Sequence, residues 1–247
     1  MIIAAAYLNR AYSHIYGALG AADLKPANGQ ETYLIGEANL IDGVNPINNM
    51  ATTSLIYVAL GDSLTAGAGT ARYQEILPYL LAEEFAAGDE TIVLKNHSVS
   101  GAETADVIAN LLSTAVDDNP DIVTLLIGVN DIHNKVSAVK FAENYEEILS
   151  RLQQGTKAKI YVINLPFIGS DKLMLPPYQA LFDERTREFN EIIKDLAVKY
   201  SIKYIDLYSP TVDLFKRSGD HYSKDLFHPS ALGYKVWADI IYDRINQ

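Results

Sequence analysis

The chain has 247 residues, 49% of them hydrophobic and 21% charged, which is enough for one sizeable core and forces no second large domain. Twenty Lys and Arg stand against thirty-one Asp and Glu, and the resulting net charge of -11, with no basic run, argues against a nucleic-acid partner or an anionic membrane surface. The absence of cysteine excludes disulfides, thiolate metal ligands and a cysteine nucleophile, and suits either redox compartment.

The amino terminus lacks a basic n-region, and Arg10 and His14 interrupt its apolar residues. Neither a signal peptide nor a stable membrane insertion is expected, which leaves a cytoplasmic chain and a secreted one with its leader removed both open. Tyr7, Leu8, Tyr12, Ile15, Tyr16 and Leu19 recur at near-helical spacing before Gly20, so a helix is predicted over 4–19. From 21 to 53 the text is rich in Gly, Asn, Pro and Asp, with short apolar pieces at Tyr33-Leu34-Ile35 and Asn39-Leu40-Ile41, and irregular packing is expected. Residues 1–53 therefore read as an N-terminal accessory segment and 54–247 as the principal domain.

That domain opens with the apolar run Ser54 to Leu60, which stops at Gly61-Asp62-Ser63-Leu64 and predicts a buried strand delivering a serine to its carboxyl end. A helix is expected over 73–85 and a strand over 91–94. The small-residue loop Asn96 to Thr104 follows, then a helix over 105–112. Ile122 to Ile127 is a continuous apolar strand ending at Gly128-Val129-Asn130-Asp131. A helix over 141–152, a strand over 159–165, a long helix over 181–200, a strand over 203–207 and a last helix over 230–245 complete the pattern. Strands alternating with helices at this spacing predict an α/β fold, a three-layer α/β/α arrangement around a central, mostly parallel five-stranded sheet. Sites in such sheets form at the carboxyl ends of strands, where the Ser63, Gly101 and Asn130 loops all fall.

A serine hydroxyl needs a base, an orienting carboxylate and oxyanion donors before it acts as a nucleophile. Asp225-Leu226-Phe227-His228 supplies the first two at a spacing that lets the carboxylate reach Nδ1 and leaves Nε2 facing outward. Taken alone, Asp225 or Ser230 reads as a helix cap, Gly101 as a turn glycine and Asn130-Asp131 as another cap. His97, His133 and His221 are alternative bases without a carboxylate at comparable spacing, and His14 reads as structural.

These blocks together resemble the SGNH hydrolases, also called GDSL esterases or lipases. Gly61-Asp62-Ser63-Leu64 is similar to the first family block, Ser100-Gly101 to the second, Gly128-Val129-Asn130-Asp131 to the third and Asp225 to His228 to the last, in family order. The similarity spans about 56–245, and Val129 stands where many members carry a second glycine. The resemblance implies a flavodoxin-like sheet, a catalytic triad of Ser63, Asp225 and His228, and an oxyanion hole made by the Ser63 and Gly101 amides and the Asn130 side chain. It implies hydrolysis of carboxylic esters, of an esterase, lysophospholipase-like or acetylesterase kind, through an acyl-enzyme, with a small-molecule ester as partner and no cofactor.

Two other classes stay in view: an acyltransferase using the same triad, and a non-catalytic carbohydrate- or partner-binding protein on the same fold. A nucleotide site is not expected, because the loop after the first strand has neither G-x-G-x-x-G nor a terminal Lys-Ser/Thr pair. The α/β-hydrolase elbow fails as well, since Thr65 takes the place of its second glycine. No metal-ligand spacing is present. The apolar loop Leu173 to Tyr178 reads either as acyl-pocket lining or as ordinary packing, and oligomeric state is left open.

Overall fold

The computed structural model describes residues 31–36, 54–86, 90–217 and 219–247. The helix predicted over 4–19, and most of the irregular stretch after it, lie outside the described residues. Six strands form one sheet: β1 (Glu31–Ile35), β2 (Ser54–Gly61), β3 (Thr91–Ser98), β4 (Ile122–Leu126), β5 (Lys159–Ile163) and β6 (Lys203–Ile205). Their order is β1-β3-β2-β4-β5-β6, with β2 to β6 mutually parallel and β1 antiparallel to β3. Every residue of β4 is buried, as the unbroken apolar run requires of a strand covered on both faces.

Two layers of helix provide that cover. On one face the helix Leu77–Phe85 packs against the final helix, Ala231–Ile245, and on the other Ala138–Gly155 packs against Tyr178–Lys199. The helix Ala138–Gly155 begins where Ser137 accepts the Lys140 amide at 3.1 Å. It buries Phe141, Tyr145, Ile148, Leu149 and Leu152, which lie on one stripe at helical spacing. Phe141 stacks on Phe189 of the facing helix at 3.9 Å between ring centroids, and burying a side chain of that size stabilises the fold by about 1.5–3 kcal/mol.

Three of the differences from the sequence expectation matter most for the sheet and its cover. Glu31–Ile35, within the stretch read as irregular, is a sixth strand: its backbone pairs with the outer edge of β3, and Tyr33 stacks on Tyr73 at 5.2 Å. A three-residue apolar run is too short to declare a strand, and here the waiting edge decides. β3 continues four residues past Leu94 because Asn96 and Ser98, polar but buried, satisfy one another through a 2.7 Å Ser98 Oγ to Asn96 Oδ1 bond. The helix Tyr208–Arg217 was not expected.

The topology locates a crevice. β2 and β4 are neighbours in the sheet, but the chain leaving β2 runs to β3 on one side and the chain leaving β4 runs to β5 on the other, the arrangement at which open α/β sheets hold their ligands.

Candidate active site

Ser63 stands at this divergence, two residues beyond Gly61, which pairs with Ser98 of β3 and Leu126 of β4. Gly101 and Asn130 follow those partner positions by three and four residues, so all three occupy one rim. Ser63 opens the short helix Ser63–Ala66, whose N-cap is Asp62, the Oδ1 of which accepts the Leu64 amide at 2.9 Å. Position 61 must be glycine, because a Cβ there would lie 2.0 Å from Thr65 Oγ1 and 2.4 Å from the Leu126 carbonyl.

Ser63 Oγ is 2.9 Å from His228 Nε2, and His228 Nδ1 is 2.6 Å from Asp225 Oδ2. Asp225 Oδ1 accepts from the amides of Phe227 at 2.8 Å and His228 at 2.9 Å and from the Ser223 hydroxyl at 2.7 Å. Burial pushes the Asp225 carboxyl up, but the hydrogen bond and charge of His228, with the Phe227 amide and Ser223 hydroxyl, outweigh it and hold the group at about 2. An ionised Asp225 only accepts, so Nδ1 carries the imidazole proton and the Nε2 lone pair faces the Ser63 hydroxyl, which donates. The capping alternative is divided between two residues: Ser230 does cap the final helix through Gly233, whereas Asp225 turns to the imidazole.

The other two strand-end blocks meet beside the serine. The turn from Val99 to Ala102 is tied to the serine's strand by the Val99 amide, 3.2 Å from the Gly61 carbonyl. Gly101 in this turn is exposed and has φ +85, the left-handed conformation that favours glycine. Asn130 lies in the short helix Val129–His133, and its Nδ2 donates to the Ala102 carbonyl at 3.0 Å and, at a longer 3.4 Å, towards Asp62 Oδ2.

Two buried carboxylates lie behind this rim. Burial pushes Asp62 up to about 7, opposed by the Leu64 amide and assisted by the charge of Asp131. Burial also pushes Asp131 up to about 6, opposed by the hydroxyl and amide of Thr104.

The alternative bases are engaged elsewhere. His97 Nε2 is 2.6 Å from Asp118, a partner 21 residues away that spacing did not reveal. His133 Nδ1 contacts the Tyr178 hydroxyl at 3.2 Å, with burial and then Lys135 holding its imidazole below the ordinary range. His221 stacks on Phe215 at 5.1 Å. His14 lies outside the described residues. In the apolar loop, Leu173 and Met174 are core residues and Leu175 is exposed, so only the latter part of that loop offers a lining surface. A cleft of about 250 Å³ adjoins Gly101, with Val99 and Leu111 as apolar walls and Ser100, Asp106 and Asn110 as polar ones. Along it Val107–Leu111 forms a π-helical turn, a local widening that recurs at functional sites.

Sequence reasoning did not find Ser223 or Thr104, since a serine or threonine near a motif carries no spacing signal of its own. Among the described residues no group of three or more His, Asp or Glu side chains is arranged to hold a metal ion, and no helix is long and apolar enough to cross a membrane.

Comparison with known proteins places these blocks in context. The model of the GDSL-like lipase/acylhydrolase family matches residues 59–236. The spore germination lipase LipC of Bacillus licheniformis is 27% identical over 213 residues, covering 75% of this chain and 94% of its own. Among solved structures, a member of the lipolytic protein G-D-S-L family from Veillonella parvula superposes with a TM-score of 0.64 at 20% identity, covering 79% of this chain and 100% of its own. The psychrotrophic esterase EstA from Pseudoalteromonas sp. does so with a TM-score of 0.62 at 20% identity, covering 77% and 96%. These two share the fold.

Proposed function

The chain belongs to the GDSL-like lipase/acylhydrolase family, and from that premise we propose that it is a cofactor-independent serine hydrolase that cleaves carboxylic esters through an acyl-enzyme on Ser63. The observation that carries this reading is the continuous relay from Ser63 Oγ through His228 to Asp225, at 2.9 and 2.6 Å. As the serine attacks the ester carbonyl, His228 Nε2 takes its proton, and Asp225 holds the ring and offsets the imidazolium charge. The amides of Ser63 and Gly101 and the Nδ2 of Asn130 donate to the oxyanion. Asn130 is suited to this because one of its N–H groups is anchored on Ala102 while the other makes only a long contact to Asp62. The imidazolium then protonates the departing alcohol, and water, deprotonated by the same nitrogen, releases the acid.

Residues 54–247 carry every proposed catalytic group, with 1–53 an accessory segment joined to them at least through β1.

A fluorophosphonate probe tests the chemistry, with p-nitrophenyl esters from acetyl to long acyl chains as substrates. Stoichiometric labelling of Ser63, abolished in Ser63→Ala, and turnover of p-nitrophenyl acetate by the wild type are the expected results. A folded Ser63→Ala protein that still turns over p-nitrophenyl acetate at the wild-type rate overturns the mechanism.

A further inference from the structure

The proposed oxyanion hole combines donors from three separate strand ends, and the contacts between the Gly101 and Asn130 segments set the separation of two of them. A Cβ built on Gly101 would meet nothing within 4 Å, so no side-chain packing is available at this position to brace the turn. On one side its turn is tied to β2 through the Val99 amide, and on the other residues 102–104 are gripped by side chains of the short helix Val129–His133 and the residue after it. Asn130 Nδ2 donates to the Ala102 carbonyl at 3.0 Å, and Asn134 Nδ2 donates to Glu103 Oε1 at 2.5 Å. Asp131 makes the most extensive grip: Oδ2 accepts the Thr104 amide at 3.0 Å and Oδ1 accepts the Thr104 hydroxyl at 2.5 Å.

The chain of donors has one direction. Asn144, buried on the helix Ala138–Gly155, donates its Nδ2 to Thr104 Oγ1 at 3.0 Å, which fixes the threonine hydrogen towards Asp131. Asp131 is fully buried, and its desolvation raises its carboxyl, so the fold retains at this point a group that is unfavourable to bury. A tie that served stability alone would be met as well by an apolar contact.

We infer that Asp131 is a positioning residue for the oxyanion hole: through Thr104 it holds the loop carrying the Gly101 amide at a fixed distance from the neighbouring Asn130 amide, so that both donors meet one carbonyl oxygen. The inference rests on the ester-hydrolase reading. It assigns Asp131 no contact with substrate and no proton transfer. Its effect belongs in kcat, because a donor displaced by a fraction of an ångström loses most where charge develops, and a misplacement near 1 Å lowers the rate by about 100-fold.

The test is steady-state kinetics on p-nitrophenyl acetate, at a temperature well below unfolding, for Asp131→Asn, Thr104→Val and Thr104→Ser beside Asn130→Ala and the double variant Asn130→Ala/Asp131→Asn. Asp131→Asn leaves one Thr104 donor facing an amide N–H, and Thr104→Val removes the hydroxyl relay. Each is expected to lower kcat by about 10- to 100-fold with KM within about threefold, and Thr104→Ser to recover most of that loss. Asn130→Ala is expected to lower kcat by about 100- to 1,000-fold, and adding Asp131→Asn to it to cost far less than in the wild-type background, since the clamp then has one donor fewer to align. If Asn130→Ala lowers kcat but folded Asp131→Asn and Thr104→Val stay within twofold of wild type and differ only in melting temperature, the clamp is a structural tie and the inference falls alone. If Asn130→Ala itself turns over normally, the oxyanion assignment falls and takes the clamp with it. Should Asp131→Asn fail to fold, the Thr104→Val and Thr104→Ser pair decides.

Discussion

Among the described residues two histidine–aspartate pairs share the same 2.6 Å separation, His228–Asp225 on the rim and His97–Asp118 on β3, and of these His228–Asp225 is joined to a serine. Distance does not distinguish them; their surroundings do. Asp118 also takes Lys95 Nζ at 2.5 Å, so a cation already answers its charge, and its side chain keeps 15% exposure. The Asp225 side chain is wholly buried, and its charge is met by two amides, a hydroxyl and the imidazole, with no lysine or arginine among these partners. The ring nitrogens are also used oppositely: His97 turns Nε2 to its carboxylate, whereas His228 turns Nδ1 and keeps Nε2 for Ser63. A relay requires a carboxylate whose charge is held for the imidazole and a second nitrogen aimed at the nucleophile.

The largest expected contrast comes from removing each histidine. His228→Ala lowers kcat for p-nitrophenyl acetate by about 10⁶-fold, the effect typical of deleting the base of a serine triad, whereas His97→Ala leaves kcat within twofold. A comparable loss in both variants, with folding verified by circular dichroism, would show that the two pairs are not functionally distinct.

The carboxylates give the next contrast. Asp225→Asn presents a donor to Nδ1, favours the wrong tautomer and lowers kcat by about 10⁴-fold, while Asp118→Asn changes stability by about 1 kcal/mol and leaves turnover intact. Near-normal kcat in Asp225→Asn would remove the orienting role from this residue.

The smallest effect concerns pH and sets Asp225 against Asp62. Asp225 sits at about 2, below its ordinary 3.8, so the stability it contributes is present above 3.8 and is lost as pH falls towards 2. Asp62 is raised to about 7, so the folded state holds its proton more tightly than the unfolded chain; the stability it contributes is complete below 3.8 and is lost as pH rises through about 7. In urea titrations at pH 5 and pH 8, wild type should therefore lose more stability on going to the higher pH than Asp62→Asn does, by on the order of 1–3 kcal/mol. Equal losses in the two proteins would mean that Asp62 stays ionised throughout.

The rim was legible in the sequence to the extent that its groups end apolar strands. Ser63 and Asn130 each follow such a run, and Asp225 lies three residues from His228, so the pieces were visible, although Asn130 and Asp225, taken alone, read as helix caps. What spacing does not carry is contact across elements: the His97–Asp118 pair, Ser223 beside Asp225, and the hold of Asp131 on Thr104 depend on which loops the sheet order brings together. β1 and the last four residues of β3 were missed for a related reason. Their strand character comes from a neighbouring edge and from internally paired polar side chains, whereas hydrophobic periodicity reports only what each segment buries.

β1 also bears on how copies of the protein behave towards one another. Without it, the outer side of β3 would present a row of unpaired amides and carbonyls eight residues long, a template for adding a strand from another molecule. The opposite margin of the sheet needs less protection, because β6 is only three residues long and begins with an exposed lysine. A chain shortened to begin at Ser54 would retain every proposed catalytic group and yet expose a self-complementary edge, so the loss would register first as concentration-dependent aggregation rather than as impaired chemistry.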